Sequence, residues 1–551
     1  MIIQIHLTDQ SVITREFSHP VLARDLAREY QKRCDYPILT CRINHEDASL
    51  NTAVDRDCDL TFCDLRNPSA NMSYQTSLTF LYNKAVHDVL GKNVKVFIWN
   101  SLNKGLYTTL RPGNFTVKDI EKVSERMHEL IEMDIAFHER IIHCEEIEKI
   151  AKEKNIEHMI ANSPDVQDAI YCTILDEGEI LFHHLLPSTG YLKAFELRKY
   201  HNGILLRFPH PVLSPDKVLP FENQQMLYES FSEAARWGKL MGISCAADLN
   251  EKMLQNDYKD LILLSEALHE KKIADIAQQI HDSKKRMILI AGPSSSGKTT
   301  FAKRLIIQLR VLGAKPLYLG TDDYFLSRTE TPLLENGEKD YESLRAVDCE
   351  LLMQNMNDLL AGKKVDLPVY DFFKGEKVFG TRITAIDHTQ PIIMEGIHAL
   401  NPELTTAIPD EEKFKIYISP LTQVNIDAYN RIPTTDARML RRLVRDYQFR
   451  GYSANETIKN WPGVRLGEEK YIFPFNGEAD VFFNSHCLYE LAVLKKYAEP
   501  LLKQITPDQN EYPEARRMLE FLEFFVAMPD DSIIPNNSIM REFIGGSVIV
   551  H

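Results

Sequence analysis

The sequence predicts a multidomain chain of two α+β modules followed by a doubly wound α/β domain on a parallel sheet. Three observations carry this. At 551 residues the chain is too long for one hydrophobic core. Its first 65 residues alternate short apolar strands with one helical stretch. At Met287–Ile290 an unbroken apolar run, typical of a buried parallel strand, leads into a glycine-bounded loop and a helical pattern. The divisions implied are 1–65, 66–221, a helical connector 222–284, 285–505, and a tail 506–551.

Bulk properties narrow the function classes. A formal net charge of −15 argues against broad binding to nucleic acid or membrane surfaces. The nine cysteines are scattered without a CxxC pair, the usage of a reducing compartment. The opening MIIQIHLTDQ lacks the basic region and apolar core of a signal peptide. No apolar run reaches bilayer length, so a cytoplasmic protein without a membrane partner is expected.

In the first module, MIIQIHL alternates as a strand, Val21 to Arg33 reads as a helix, and strands fall near Ile38–Asn44 and Leu60–Asp64. That order suggests a β-grasp-like module. It resembles the TGS domain of threonyl-tRNA synthetases and some GTPases, notably in RINHEDASLNTAVDRDCDLTF. The second module continues the resemblance. GKNVKVFIWNSLNKGLYTTL looks like the strand pair of the second additional domain of threonyl-tRNA synthetase. VKDIEKVSERMHELIEMDIAFHERIIHCEEIEKIAKEKN matches its helix–strand–helix, and LPSTGYLKAFEL its closing loop and strand. In that family the domain edits mischarged tRNA with an HxxxH and a CxxxH pair. Here the equivalent positions are Ser77 and Leu81, and Leu181 and Leu185, none of which supplies that chemistry. The resemblance implies a retained fold without editing. A nucleotide, an RNA end or a partner protein is the ligand class expected at this front half.

Gln225 to Leu240 and Leu261 to Asp282 carry apolar residues at helical spacing without sustained heptads, as a packed connector would. The phosphate loop follows. Gly292, Pro293, Ser294, Ser295, Ser296, Gly297, Lys298, Thr299 and Thr300 lie between strand and helix. The two glycines let successive N–H groups converge on one anion at a helix N-terminus. Lys298 is placed to reach the β- and γ-phosphates of ATP, and the Thr299 hydroxyl to ligate Mg²⁺. A serine-rich surface turn shares the composition but not the Lys-Thr pair at this spacing.

Two further apolar strands end in acids. Pro316–Leu319 runs into Gly320-Thr321-Asp322-Asp323-Tyr324-Phe325, and Pro391-Ile-Ile-Met ends in Glu395. A carboxylate past the C-terminal end of a parallel strand stands at the ligand-binding mouth of such a sheet. Beside a lysine-held phosphate, two acids supply a base for a hydroxyl and a ligand for a metal.

AGPSSSGKTTFAKRL, TDDYF, LPVYDF, IIMEGIHAL and RRLVRDYQFRG occur in the order of the uridine kinase/phosphoribulokinase family, which residues 285–505 resemble. The resemblance implies an ATP- and Mg²⁺-dependent transfer to an alcohol, with the 5′-hydroxyl of a nucleoside the first acceptor expected. It makes Asp322 the general base and Glu395 the partner of Thr299 at Mg²⁺. It places Arg442 at the sugar, and Arg445 and Arg450 on a mobile lid over the transferring group. It puts Glu342, in Asp340-Tyr341-Glu342, at the ribose and Tyr370 against the base. Uridine kinases read the pyrimidine with a histidine a few residues beyond YDF, where this chain has Gly375. Lys377 stands where an arginine is expected. This departure opens a second acceptor class, a phosphorylated sugar, which Arg345, Lys374 and Lys377 would suit. A third reading is a nucleotide-sensing, RNA-binding regulator that turns over weakly. The tail adds a helix at Glu511 to Phe525 and a final stretch too apolar for simple disorder, expected to dock on a domain surface. A homo-oligomer is left open.

Overall fold

The computed structural model describes residues 1–154, 163, 165–333, 337, 339–371, 374–406, 408–422 and 424–550. Phe372 and Phe373, next to the YD of the LPVYDF motif, lie outside this set.

The first module folds as a five-stranded sheet. Ile2–His6 pairs antiparallel with Val12–Glu16 and parallel with Cys58–Cys63, which in turn pairs with Thr40–Ile43. Alternation decides the faces: Ile3 and Ile5 are fully buried while Ile2 is exposed. The helix Ala23–Tyr30 closes the core with Leu26, Ala27 and Tyr30. The second module has two antiparallel sheets around the helix Pro68–Leu90, whose start is capped by Asn67 accepting from the Ser69 and Ala70 amides. The expected helix–strand–helix follows as Val117–Glu132, His138–His143 and Cys144–Lys154. Ser77, Leu81, Leu181 and Leu185 all lie in the core. The Ser77 hydroxyl donates to the Ser73 carbonyl and accepts from the Leu186 amide.

The connector holds the expected helices, Gln225–Leu240 and Tyr258–Ser283, with Ala246–Leu254 between them. Beyond it lies a five-stranded sheet in the order Leu317–Gly320, Ile392–Glu395, Met287–Ala291, Lys413–Ser419, Val481–Asn484, with every pairing parallel. The central strand Met287–Ala291 is buried throughout because both faces are covered. Ile288 and Ile290 join one hydrophobic cluster with Phe301, Leu305 and Leu494. Met287, Leu289 and Ala291 join another with Leu352, Met356 and Leu404. The strand order reverses beside Met287–Ala291, so a crevice opens past its C-terminal end. The helix Tyr512–Glu523 and the last residues pack on the first of these clusters. Among the described residues no helix is long and apolar enough to cross a membrane.

Candidate active site

The loop after Met287–Ala291 turns through Ser295 (φ 60°) and Gly297 (φ 80°) into the helix Lys298–Val311. Gly292 is required by packing, since a Cβ there would fall 2.1 Å from the Ile418 carbonyl oxygen. Inside the loop the hydroxyls of Ser295 and Ser296 are buried and make no hydrogen bond to the described residues. Buried polar groups are ordinarily satisfied, so these orphans fit a site built for an anion. Lys298 curls back to donate to the Pro293 carbonyl at 3.1 Å.

Thr299 and Glu395 meet across the crevice: the threonine hydroxyl donates to the glutamate carboxylate at 3.3 Å. Tyr318 donates to the same carboxylate oxygen at 2.8 Å. Burial raises the Glu395 carboxyl to about 7, Lys298 opposing this and Asp322 adding to it. A hydroxyl and a carboxylate facing one another are a hard-oxygen donor set, and they fit Mg²⁺.

Asp322 is the second residue of the short 3₁₀ turn Thr321–Tyr324 past its strand and is solvent-exposed. Its neighbour Asp323 is engaged elsewhere, accepting from Arg382 at 2.9 Å and from the Tyr370 amide at 3.4 Å. Two adjacent acids are thus separated by environment. Glu342 is half-buried, and burial pushes its carboxyl up to about 7, with Arg442 and Lys298 opposing and Glu468 and Asp322 reinforcing. Tyr370 donates to the Leu326 carbonyl at 3.1 Å and meets Phe325 edge-on at 5.9 Å.

The helix Thr434–Phe449 carries the arginines. Arg442 donates to the Ser294 hydroxyl at 3.0 Å, so it touches the phosphate loop itself. Arg442, Arg445 and Arg450 gather on the buried carboxylate of Asp446, at 3.2, 2.8 and 3.6 Å. Two further arginines of this helix brace the loop. Arg438 donates to the Ser294 carbonyl at 3.2 Å and pairs with Glu468. Arg441 donates to the Ser295 carbonyl at 3.4 Å and pairs with Glu490 at 2.5 Å. Sequence reasoning passed over Arg438, Arg441 and Asp446, although the 438/441/442/445 spacing puts the four arginines on one helical face.

The segment beyond the YDF motif meets another unforeseen residue. Gly375 has a φ of 73°, and a Cβ on it would lie 2.5–2.6 Å from the Arg328 side chain. The missing histidine leaves room that Arg328 fills. The basic residues expected nearby are differently placed: Lys377 is paired with Asp348, Lys374 lies 3.7 Å from Asp371, and Arg345 is exposed.

A parallel sheet, a phosphate loop and acids at two neighbouring strand tips define a P-loop phosphotransferase. Residues 287–491 match the model of the Phosphoribulokinase / Uridine kinase family. The chain is 34% identical over 196 residues to a uridine kinase of Staphylococcus epidermidis, covering 35% of this chain and 85% of that protein. It is 29% identical over 201 residues to a uridine kinase of Ligilactobacillus salivarius, covering 36% and 85%. A solved structure of a possible uridine kinase from Bacillus stearothermophilus aligns at 20% identity and a TM-score of 0.28, covering 39% of this chain and 97% of that one. Through this region the chain belongs to the phosphoribulokinase/uridine kinase family.

Proposed function

We propose that the chain is an ATP-dependent kinase of a small-molecule hydroxyl, with the 5′-hydroxyl of a nucleoside as acceptor and a nucleoside monophosphate as product. The observation that carries this is the convergence of the phosphate loop, Thr299, Glu395 and exposed Asp322 at adjoining strand tips. Lys298 and the loop amides hold the triphosphate, and Thr299 and Glu395 would hold Mg²⁺, which when bound would offset phosphate charge. Asp322 takes the proton of the attacking hydroxyl, and Glu342 orients the sugar through its hydroxyls. Arg442, Arg445 and Arg450 stabilise charge on the phosphoryl oxygens, because fixed cations need no reorganisation during transfer.

Arg328 over Gly375 favours a second acceptor class, a phosphorylated sugar, since a guanidinium recognises phosphate. The TGS-like and synthetase-like front half is read as a binding module for RNA or a protein partner. Its support is sequence resemblance together with the buried, metal-incapable Ser77, Leu81, Leu181 and Leu185. The test is transfer from γ-labelled ATP to a panel of nucleosides and sugar phosphates. A labelled nucleoside monophosphate supports the first reading, and a labelled sugar bisphosphate the second. Lys298→Ala abolishes either. No acceptor-dependent transfer, with measurable RNA affinity, overturns both in favour of a nucleotide-sensing regulator.

A further inference from the structure

The C-terminal segment lies on the phosphate loop. Glu542 accepts from the Thr300 amide at 3.2 Å and from its hydroxyl at 2.6 Å, through one carboxylate oxygen. Ile539 packs against bare Gly297, where a Cβ would fall 2.5 Å from its methyl group. The Phe543 ring lies 4.9 Å beneath the guanidinium of Arg441, which also holds the Ser295 carbonyl. Lys303, farther along the loop helix, donates to the Ile549 carbonyl at 3.1 Å. Ser538, Ile539, Met540 and Phe543 are fully buried, and Ser538 donates to buried Glu266 at 2.6 Å. The segment is therefore anchored, while Glu542 itself is only half-buried.

In a phosphate loop the backbone amides around the helix start hold the α- and β-phosphates. Thr300 is the second residue after Lys298, and its amide and hydroxyl are both given to a carboxylate of this same chain. A phosphate oxygen cannot take that donor without facing a carboxylate oxygen at contact distance, where like charges repel. We propose that Glu542 is an intramolecular competitor of the nucleotide, occupying an α/β-phosphate position until ATP displaces it. The buried anchors keep it at hand, so apparent ATP affinity is the intrinsic affinity scaled by the fraction of molecules in which Glu542 has swung away. This rests on reading the loop as a triphosphate site.

The test is MgADP titration by calorimetry on the full-length chain, wild type against Glu542→Gln, together with the ATP dependence of turnover. Removing the charge while keeping the side chain's shape should tighten MgADP by about tenfold or more, one contact repulsion's worth. The KM for ATP should fall with it, more than kcat changes. Glu542→Asp, one methylene shorter, withdraws the carboxylate from Thr300 and should also tighten binding, which decides the matter if the glutamine variant does not fold. Equal affinity in wild type and variants overturns the competitor while leaving the triphosphate site standing. Weaker affinity in the variants also overturns it, by making Glu542 a nucleotide-binding group. Absence of MgADP binding in every form removes the triphosphate reading and the competitor with it.

Discussion

Thr299 and Glu395 are 96 positions apart in sequence, and their side-chain oxygens lie 3.3 Å apart across two neighbouring parallel strands. The register explains the meeting. Ile290 pairs with Glu395, so the acid leaves its strand level with the start of the loop whose far end carries Thr299. On the other side, Gly320 pairs with Glu395, so the turn bearing Asp322 begins at the same height. Three segments deliver their polar ends to one level because the three strands stop within one rung of each other.

Asp322 is the exposed acid of this group, free of the ion pair that ties up Asp323. If it serves as general base, Asp322→Asn lowers kcat by about 10²–10⁴. Nucleotide affinity stays near wild type, because the carboxylate acts on the hydroxyl and not on the triphosphate. Steady-state kinetics with a parallel MgADP titration checks both halves. Loss of nucleotide binding would show that Asp322 holds the metal or the phosphates instead.

Much of this site was legible because its elements are local. The loop is fixed by Gly292, Gly297 and the Lys298-Thr299 pair, and the strand tips by an apolar run ending in an acid, all readable within a few residues. The helices Gln225–Leu240 and Tyr258–Ser283 declared themselves by period. What escaped was long-range. Nothing near Glu542 announces that it will meet Thr300, 242 residues away, and nothing near Gly375 announces that Arg328 will cover it. The arginines of RRLVRDYQFRG were readable as cations, but their gathering on Asp446, and the bracing of loop carbonyls by Arg438 and Arg441, depend on how the helix docks.

Glu342 supplies a pH dependence. Its carboxyl is raised from 4.5 to about 7 by burial, so the folded chain binds its proton more tightly than the unfolded chain does. This contribution to stability is complete below pH 4.5 and lost as pH climbs through about 7. If Glu342 holds the sugar of the acceptor, its ionised form is the better hydrogen-bond acceptor for the sugar hydroxyls, so acceptor KM should fall as pH rises across the same range. In Glu342→Gln that inflection disappears, and thermal stability measured at pH 8 relative to pH 5 improves over wild type. A KM profile identical in the variant would remove Glu342 from the acceptor site.

Asp446 is 2% exposed and faces three arginines. Asp446→Asn removes the carboxylate all three guanidiniums share and leaves them to repel one another across it. Truncating one partner of a buried, hydrogen-bonded charge set costs about 3–5 kcal/mol. The fold should lose stability by an amount near the lower end, since Arg450 is half exposed and can turn to solvent. If the arginines act on charge that develops during transfer, turnover should fall more than nucleotide affinity. Chemical denaturation and kcat at saturating ATP measure the two effects separately. Unchanged kcat would place these arginines outside the reaction.

Glu469 ties the second module to the helix Ala454–Tyr471. It accepts from Lys104 at 2.9 Å and from Arg465 at 2.9 Å, with His210 at 3.3 Å, and is 3% exposed. A hydrogen bond with His210 and the Lys104 and Arg465 cations hold its carboxyl far below the usual carboxylate range, against the penalty of burial. The sign follows: a depressed acid contributes stability above its unfolded value of 4.5 and loses it as pH falls through the folded one. Glu469→Gln therefore destabilises the protein at pH 7 by about 3 kcal/mol, since Lys104 loses its carboxylate while Arg465 keeps only Glu468. As pH falls below 4.5 wild type and variant should converge in midpoint, since protonation makes the native side chain resemble the substitute. Denaturant midpoints taken at pH 7 and at successively lower pH check this, and a gap that persists unchanged into acid would mean that Glu469 acts through packing and not through charge.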